Sequence, residues 1–142
     1  MPNIRRLTID DYEAVIDLWQ RSGLPSIRPI GRDSREEFAK QNEQGQIVIG
    51  LEDGRKLIGV VVATSARKGW INRLAIDPAQ QRKGYGAQLI HAAETALREA
   101  GLKVMAALIE DYNDASLALF EREGYKVHTD IYYVSKRDSE ED

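Results

Sequence analysis

Trp70-Ile71-Asn72-Arg73-Leu74-Ala75-Ile76-Asp77-Pro78, continued by Ala79-Gln80-Gln81-Arg82-Lys83-Gly84-Tyr85-Gly86-Ala87, is the stretch whose reading decides the fold. Residues 71–76 are mostly apolar and lie between Gly69 and Pro78, which predicts a buried strand. From Ala87 onward Leu89, Ile90, Ala93, Ala96 and Leu97 recur at three- and four-residue spacing, the pattern of one helix face. Gly84 and Gly86 sit between strand and helix and let the backbone N–H groups approach a ligand closely. The first amides of a helix lack internal partners and carry the positive end of its dipole. A strand–Gly-x-Gly–helix junction flanked by Arg82 and Lys83 is therefore read as a diphosphate cradle. The alternative is that the glycines serve only a tight turn.

Two nucleotide-binding patterns fail on spacing. A dinucleotide fingerprint needs a third glycine where this chain has Leu89, and Gly-x-x-x-x-Gly-Lys-Ser/Thr is missing. Outward from the cradle, Asn3 to Leu7 reads as a strand. Thr8 with Asp11 forms an acidic capping box for a helix carrying Tyr12, Val15, Ile16, Leu18 and Trp19 on one face. Gly23 and Pro25 end that helix and open an irregular loop, and Asp33-Ser34 starts a second helix anchored by Phe38. Gln46 to Leu51 and Leu57 to Thr64 are strands joined at Asp53-Gly54, with Gly59 a candidate bulge.

Beyond the central helix, Gly101 ends it and Lys103 to Ile109 reads as a buried strand. A helix after Asn113 turns Leu117, Leu119 and Phe120 inward and closes at Gly124. Tyr125 to His128 and Ile131 to Ser135 read as a last strand pair. The order β-α-α-β-β-β-α-β-α-β-β describes an α/β three-layer domain: a mixed, mostly antiparallel sheet flanked by helices. One domain is expected over residues 1–137, followed by an acidic, disordered tail over 138–142.

Composition narrows the chemistry. The 142 residues are 42% hydrophobic and 30% charged with a net charge of −3, so the chain lacks the basic field of a nucleic-acid binder. No cysteine is present, which removes thiolate catalysis and disulfides, and His91 and His128 are too isolated to suggest a metal site. No apolar run approaches membrane-spanning length and no signal-peptide core is visible, so a cytoplasmic location is expected.

The pattern Gln81-x-x-Gly84-x-Gly86 after a strand ending in Asp77-Pro78 resembles motif A of the GNAT superfamily of acyl-CoA N-acyltransferases. Asn113-Asp114-Ala115-Ser116 through Phe120 to Gly124-Tyr125 is similar to a second block of that family, and the element order is the one typical of its fold. The resemblance implies acetyl-CoA as acyl donor and an amine as acceptor. Backbone groups of Leu74, Ala75 and Ile76 would pair with the pantetheine amides, as an added strand does. Gln81 would begin the loop, and Arg82, Lys83, Gly84, Tyr85, Gly86 and Ala87 would cradle the pyrophosphate. Asn113 would touch the pantetheine arm where the central strands splay.

Departures from the family are as informative. Phe120 stands where the helix usually supplies a tyrosine to protonate the leaving thiolate, so either the thiolate leaves unassisted or is protonated by water, or Tyr112, Tyr85 or Tyr132 stands in. No carboxylate occupies the usual base positions, which here hold Asn72 and Leu108. Asn72 would then order a water that relays to Glu52 or Glu110; Glu110 and Asp111 are equally read as helix-start charges. The residue set carried forward as catalytic is Asn72, Glu110 and Tyr112. Phe120 is grouped with the cofactor wall, and Trp19, Trp70 and residues 23–45 with the acceptor pocket. Arg28 and Arg32 would attract a substrate carboxylate or are simply solvated cations. A non-catalytic acyl-CoA-binding module and a nucleotide-binding protein remain the alternative functions. Sheet edges leave room for a homodimer.

Overall fold

Every residue of Leu57–Ala63 is buried, although the segment does not alternate apolar with polar. A strand reads this way when helices cover both faces of its sheet. The computed structural model describes residues 2–24 and 27–139. Five strands lie in the order β1 (Asn3–Arg6), β2 (Ile47–Asp53), β3 (Lys56–Ala66), β4 (Lys68–Ile76) and β5 (Met105–Ala106). The first three pairings are antiparallel, and β4 with β5 is parallel. Helices α1 (Tyr12–Arg21) and α2 (Arg35–Glu43) cover one face, and α3 (Tyr85–Glu99) and α4 (Asp114–Arg122) the other.

Two cores follow from this layering. Ile58, Val61, Ala63 and Ile71 pack with Leu89, Ile90, Ala93, Leu97 and Phe120. Leu57, Val60 and Val62 pack with Val15, Leu18, Trp19 and Phe38 on the opposite face. Alternation along β3 changes parity across Gly59, where Leu51 pairs with Gly59 but Glu52 with Leu57. That is the signature of one extra residue in a strand. Caps stand where the side chains place them. The Thr8 amide donates to Asp11 Oδ2 at 2.8 Å, and Ser34 Oγ accepts from the Glu37 amide at 3.2 Å.

Three expectations change. A single 3-10 turn, Ile9–Asp11, precedes α1. The strand expected over 103–109 is a ladder of two residues, Gly69 with Met105 and Trp70 with Ala106. The last strand pair, over 125–128 and 131–135, is not formed. Residues 125–139 carry no ladder, and Ile131, Tyr132, Tyr133 and Val134 are exposed. Their β-branched and aromatic side chains favour a pleated surface only where a neighbouring strand supplies one, and the two-residue β5 offers almost no edge. Of the acidic tail, residues 140–142 lie outside the described residues, as do Pro25 and Ser26 of the loop after α1.

Candidate functional site

The site begins with a defect in β4. Val62 pairs with Asn72 but Val60 with Ala75, so Arg73 and Leu74 together oppose Val61. The bulge turns the strand by one residue: Ile71, Leu74 and Ile76 all reach the α3 face, whereas Ala75 belongs to the α1 face. Beyond Trp70, β4 has β3 on one side and no strand on the other among the described residues. A cleft of about 1430 Å³ opens there, lined among others by Trp19, Arg73, Leu74, Gly84, Asn113 and Tyr132.

Arg73 is held in the left-handed region, φ 52°, a conformation that disfavours a residue with a Cβ by roughly 1–2 kcal/mol. Three contacts hold it there. Its guanidinium forks onto the Asp33 carboxylate, with Nη1 on Oδ1 and Nη2 on Oδ2. It lies 5.0 Å from the Trp19 ring centroid, and its carbonyl accepts from Trp19 Nε1 at 3.3 Å. Asp33 is buried; its Oδ2 also accepts from the Arg28 amide at 2.7 Å, and its carbonyl accepts from the Tyr12 hydroxyl at 2.5 Å. The bulge is thus tied to α1 and to the loop that leads into α2.

At the other end of β4 the buried Asp77 caps the following turn, accepting from the Ala79 amide at 3.0 Å. Arg21 Nη1 donates to it at 2.7 Å and Lys56 Nζ lies at 3.4 Å. The amide and the Arg21 bond hold its pKa below the ordinary carboxylate value. Gly84 then caps α3 at φ 80° with no side-chain cap bond. The Gln88 amide donates to the Gly84 carbonyl at 3.3 Å, so the amides of Tyr85, Gly86 and Ala87 precede the first intrahelical bond. Gly86 has a different reason to be small. A Cβ there would lie 2.8 Å from Leu119 Cδ2 and 3.8 Å from Leu74 Cδ2, so it sets how closely α3 approaches α4.

The residues expected at the site fare unequally. Asn72, Leu74, Ala75, Ile76, Gln81, Arg82, Gly84, Tyr85, Gly86, Ala87, Glu110, Tyr112, Asn113 and Phe120 all line the cleft; Lys83 does not, and its Nζ donates to Gln80 Oε1 at 2.9 Å. Asn113 caps α4, its Oδ1 accepting from the Ser116 amide. Phe120 is a core residue, packed edge-on against Tyr125 at 5.0 Å between centroids. Glu52 is removed as a relay, because Arg5 holds it at 2.6 Å beside β1, away from the cleft. Trp70 is also absent from the lining and sits under Lys68. The Arg73–Asp33 pair escaped the sequence reading. Its one signal was a charged residue inside the mostly apolar 71–76 strand.

Such a frame, a strand whose inner edge is unpaired among the described residues and leads into a helix whose first residues line a cleft, suits a long ligand with amides at one end and an anion at the other. Comparison with known proteins supplies the family. The model of the acetyltransferase (GNAT) family matches residues 4–125, and the chain belongs to that family. Among solved structures it is similar to the PaiA N-acetyltransferase of Thermoplasma acidophilum in complex with coenzyme A, with TM-score 0.78 and 21% identity over 90% of this chain and 91% of that one. The Escherichia coli ribosomal-protein-S18-alanine N-acetyltransferase gives TM-score 0.77 and 22% identity, over 91% of this chain and 80% of the other. AAC(6')-Iy, bound to a bisubstrate analogue of coenzyme A, gives 0.79 and 16% over 96% and 99%. No helix among the described residues is long and apolar enough to cross a membrane.

Proposed function

We propose that the protein transfers the acetyl group of acetyl-CoA to a primary amine of a small molecule or peptide, by direct attack on the thioester. The observation that carries this reading is the unpaired inner edge of β4 leading straight into the Gly84-capped start of α3. In it, backbone groups of Leu74, Ala75 and Ile76 pair with pantetheine, and the amides of Arg82, Lys83, Gly84, Tyr85, Gly86 and Ala87 take the pyrophosphate. Lys83 is not among the residues lining the cleft, so the other five amides carry most of this contact in the reading. One charge at a helix N-terminus is worth only about 0.3–1 kcal/mol, so several amides and the pantetheine contact must act together.

The acceptor amine approaches from the Trp19 side. An alkylammonium must lose a proton before attack. Asn72 is proposed to order a water that relays this proton to the Glu110 carboxylate, both residues lining the cleft. The oxyanion is met by a backbone N–H of Leu74–Ile76. Tyr112 protonates the thiolate in place of the buried Phe120, a modest demand because a thiol pKa lies near about 8.5. Independence from nucleic acid belongs to the same reading, supported by the net charge of −3, and so does a cytoplasmic setting.

Phe120 also favours a second reading, an acyl-CoA-binding module without turnover. Calorimetric titration with acetyl-CoA, CoA, ATP and NAD separates the cases. Micromolar binding of acetyl-CoA with thiol release on adding amines supports transfer. Binding without thiol release supports the module, and equal binding of ATP overturns both.

A further inference from the structure

Three non-glycine residues among those described have a positive φ. Arg67 joins β3 to β4 and Arg82 lies in the loop before α3, whereas Arg73 stands inside β4. A bulge whose first residue is left-handed ordinarily takes glycine there, because a Cβ disfavours that conformation. Arg73 is therefore kept in place by contacts from outside the strand.

Those contacts grip both its side chain and its backbone. Asp33 accepts the guanidinium fork, Nη1 on Oδ1 and Nη2 on Oδ2 at 3.3 Å. Asp33 is itself held, by the Arg28 amide on Oδ2 at 2.7 Å and by the Tyr12 hydroxyl on its carbonyl. The Trp19 ring lies 5.0 Å from the guanidinium, and its Nε1–H donates to the Arg73 carbonyl at 3.3 Å. That carbonyl shares one planar trans peptide with the Leu74 N–H, so fixing the first aims the second in the opposite direction. Leu74 is the second residue of the bulge. It is also the first of the three residues whose N–H groups the acetyltransferase reading offers to the oxyanion.

We propose that Trp19 and Asp33 are positioning residues for acetyl transfer: acting through Arg73, they hold the Arg73–Leu74 peptide so that the Leu74 N–H meets the thioester oxygen. The inference rests on the acetyltransferase reading and deepens it by choosing one amide of the three. As the amine nitrogen bonds to the thioester carbon, the carbonyl electron pair moves onto oxygen, where this N–H receives it. The pair returns as the carbon–sulfur bond breaks toward the thiolate. Such a donor helps only when it is aimed beforehand, and removing one costs about 10²–10³ in kcat. Without its tethers Arg73 leaves φ 52° for the extended region that residues with a Cβ favour, and the peptide turns with it. Trp19 and Asp33, which belong to α1 and the loop before α2, line the same cleft as Leu74. The acceptor wall and the oxyanion donor thus form one framework.

Calorimetry with acetyl-CoA comes first, and a wild type that binds none overturns the acetyltransferase reading and this proposal together. Infrared difference spectra of the saturated protein, with heavy carbon at the thioester carbonyl of acetyl-CoA, then read the hydrogen bond at that oxygen with no acceptor present. The band of the bound ligand should lie at lower frequency than that of the free one. Arg73→Ala should lose most of this displacement, and Asp33→Asn should change it in the same direction. Trp19→Phe keeps a ring beneath the guanidinium but not the N–H, and should lose at least half. Arg73→Gly should keep most of it, because glycine adopts φ 52° without help. A guanidinium acting on the ligand directly would make the alanine and glycine variants equally impaired. That equality overturns the proposal and leaves acetyl-CoA binding standing, as does an undisplaced band in the wild type or the same displacement in every variant. Should Trp19→Phe fail to fold, the alanine and glycine variants at position 73 decide alone.

Discussion

Asp33→Asn is the substitution that most directly probes how the cleft is built. The carboxylate is 6% exposed and accepts both arms of the Arg73 fork while also accepting the Arg28 amide. Asparagine keeps one acceptor and turns a donor toward the guanidinium. If the remaining oxygen stays on the Arg28 amide, Arg73 loses both charge-assisted bonds, each worth about 1.5–3 kcal/mol. Arg73 keeps the Trp19 face and 22% side-chain exposure, so water recovers part of the loss. The net destabilisation should be about 2–3 kcal/mol, between a surface pair and a fully buried one. Near this chain length that is roughly 8–12 °C in Tm. Urea unfolding of the wild type, Asp33→Asn, Arg73→Met and the double variant measures it. A coupling energy of about 1.5 kcal/mol or more is expected. A single-variant change under about 0.5 kcal/mol, together with additive effects, would refute the claim that this pair holds the bulge.

Three further perturbations have stated outcomes. Gly84→Ala forces a Cβ onto a residue at φ 80°, so stability should fall by about 1–2 kcal/mol and acetyl-CoA affinity by severalfold, read by calorimetry. Tyr112→Phe should lower kcat about tenfold, less than the usual general-acid effect because a thiolate leaves with little help, with acetyl-CoA binding unchanged; unaltered kcat would remove Tyr112 from the mechanism. Asp77 has a folded pKa below its unfolded value, so its stabilisation is full above the unfolded value near about 3.9 and disappears as pH falls through the folded one. Asp77→Asn keeps an acceptor for the Ala79 amide but loses the charge facing Arg21 and Lys56, so it should be destabilised by about 1–2 kcal/mol at pH 6, and the gap should close as pH falls through the folded pKa.

Local signals carried most of the fold. The capping box at Thr8, the hairpin at Asp53-Gly54 and the α3 periodicity depend on neighbours a few residues apart, and the structure keeps all three. The glycine turn into α3 was legible for the same reason, although the two glycines divide the work: Gly84 supplies the left-handed cap and Gly86 the space for Leu119. What depended on distant partners was not legible. Residues 125–135 have strand-like composition, yet no ladder receives them. The bulge at Arg73 takes its meaning from Asp33, forty residues away in the chain, and from Trp19 on another helix. Glu52 is not available as a relay because Arg5, 47 residues away in the chain, holds it.

Amide hydrogen exchange with and without acetyl-CoA tests the central claim most directly, because it reads the backbone groups proposed to hold the ligand. Protection should rise together over Leu74–Ile76 and Arg82–Ala87, and ATP at the same concentration should leave Leu74–Ile76 unchanged. Acetyl-CoA that protects neither segment, or protects only surfaces outside the cleft, would contradict the account.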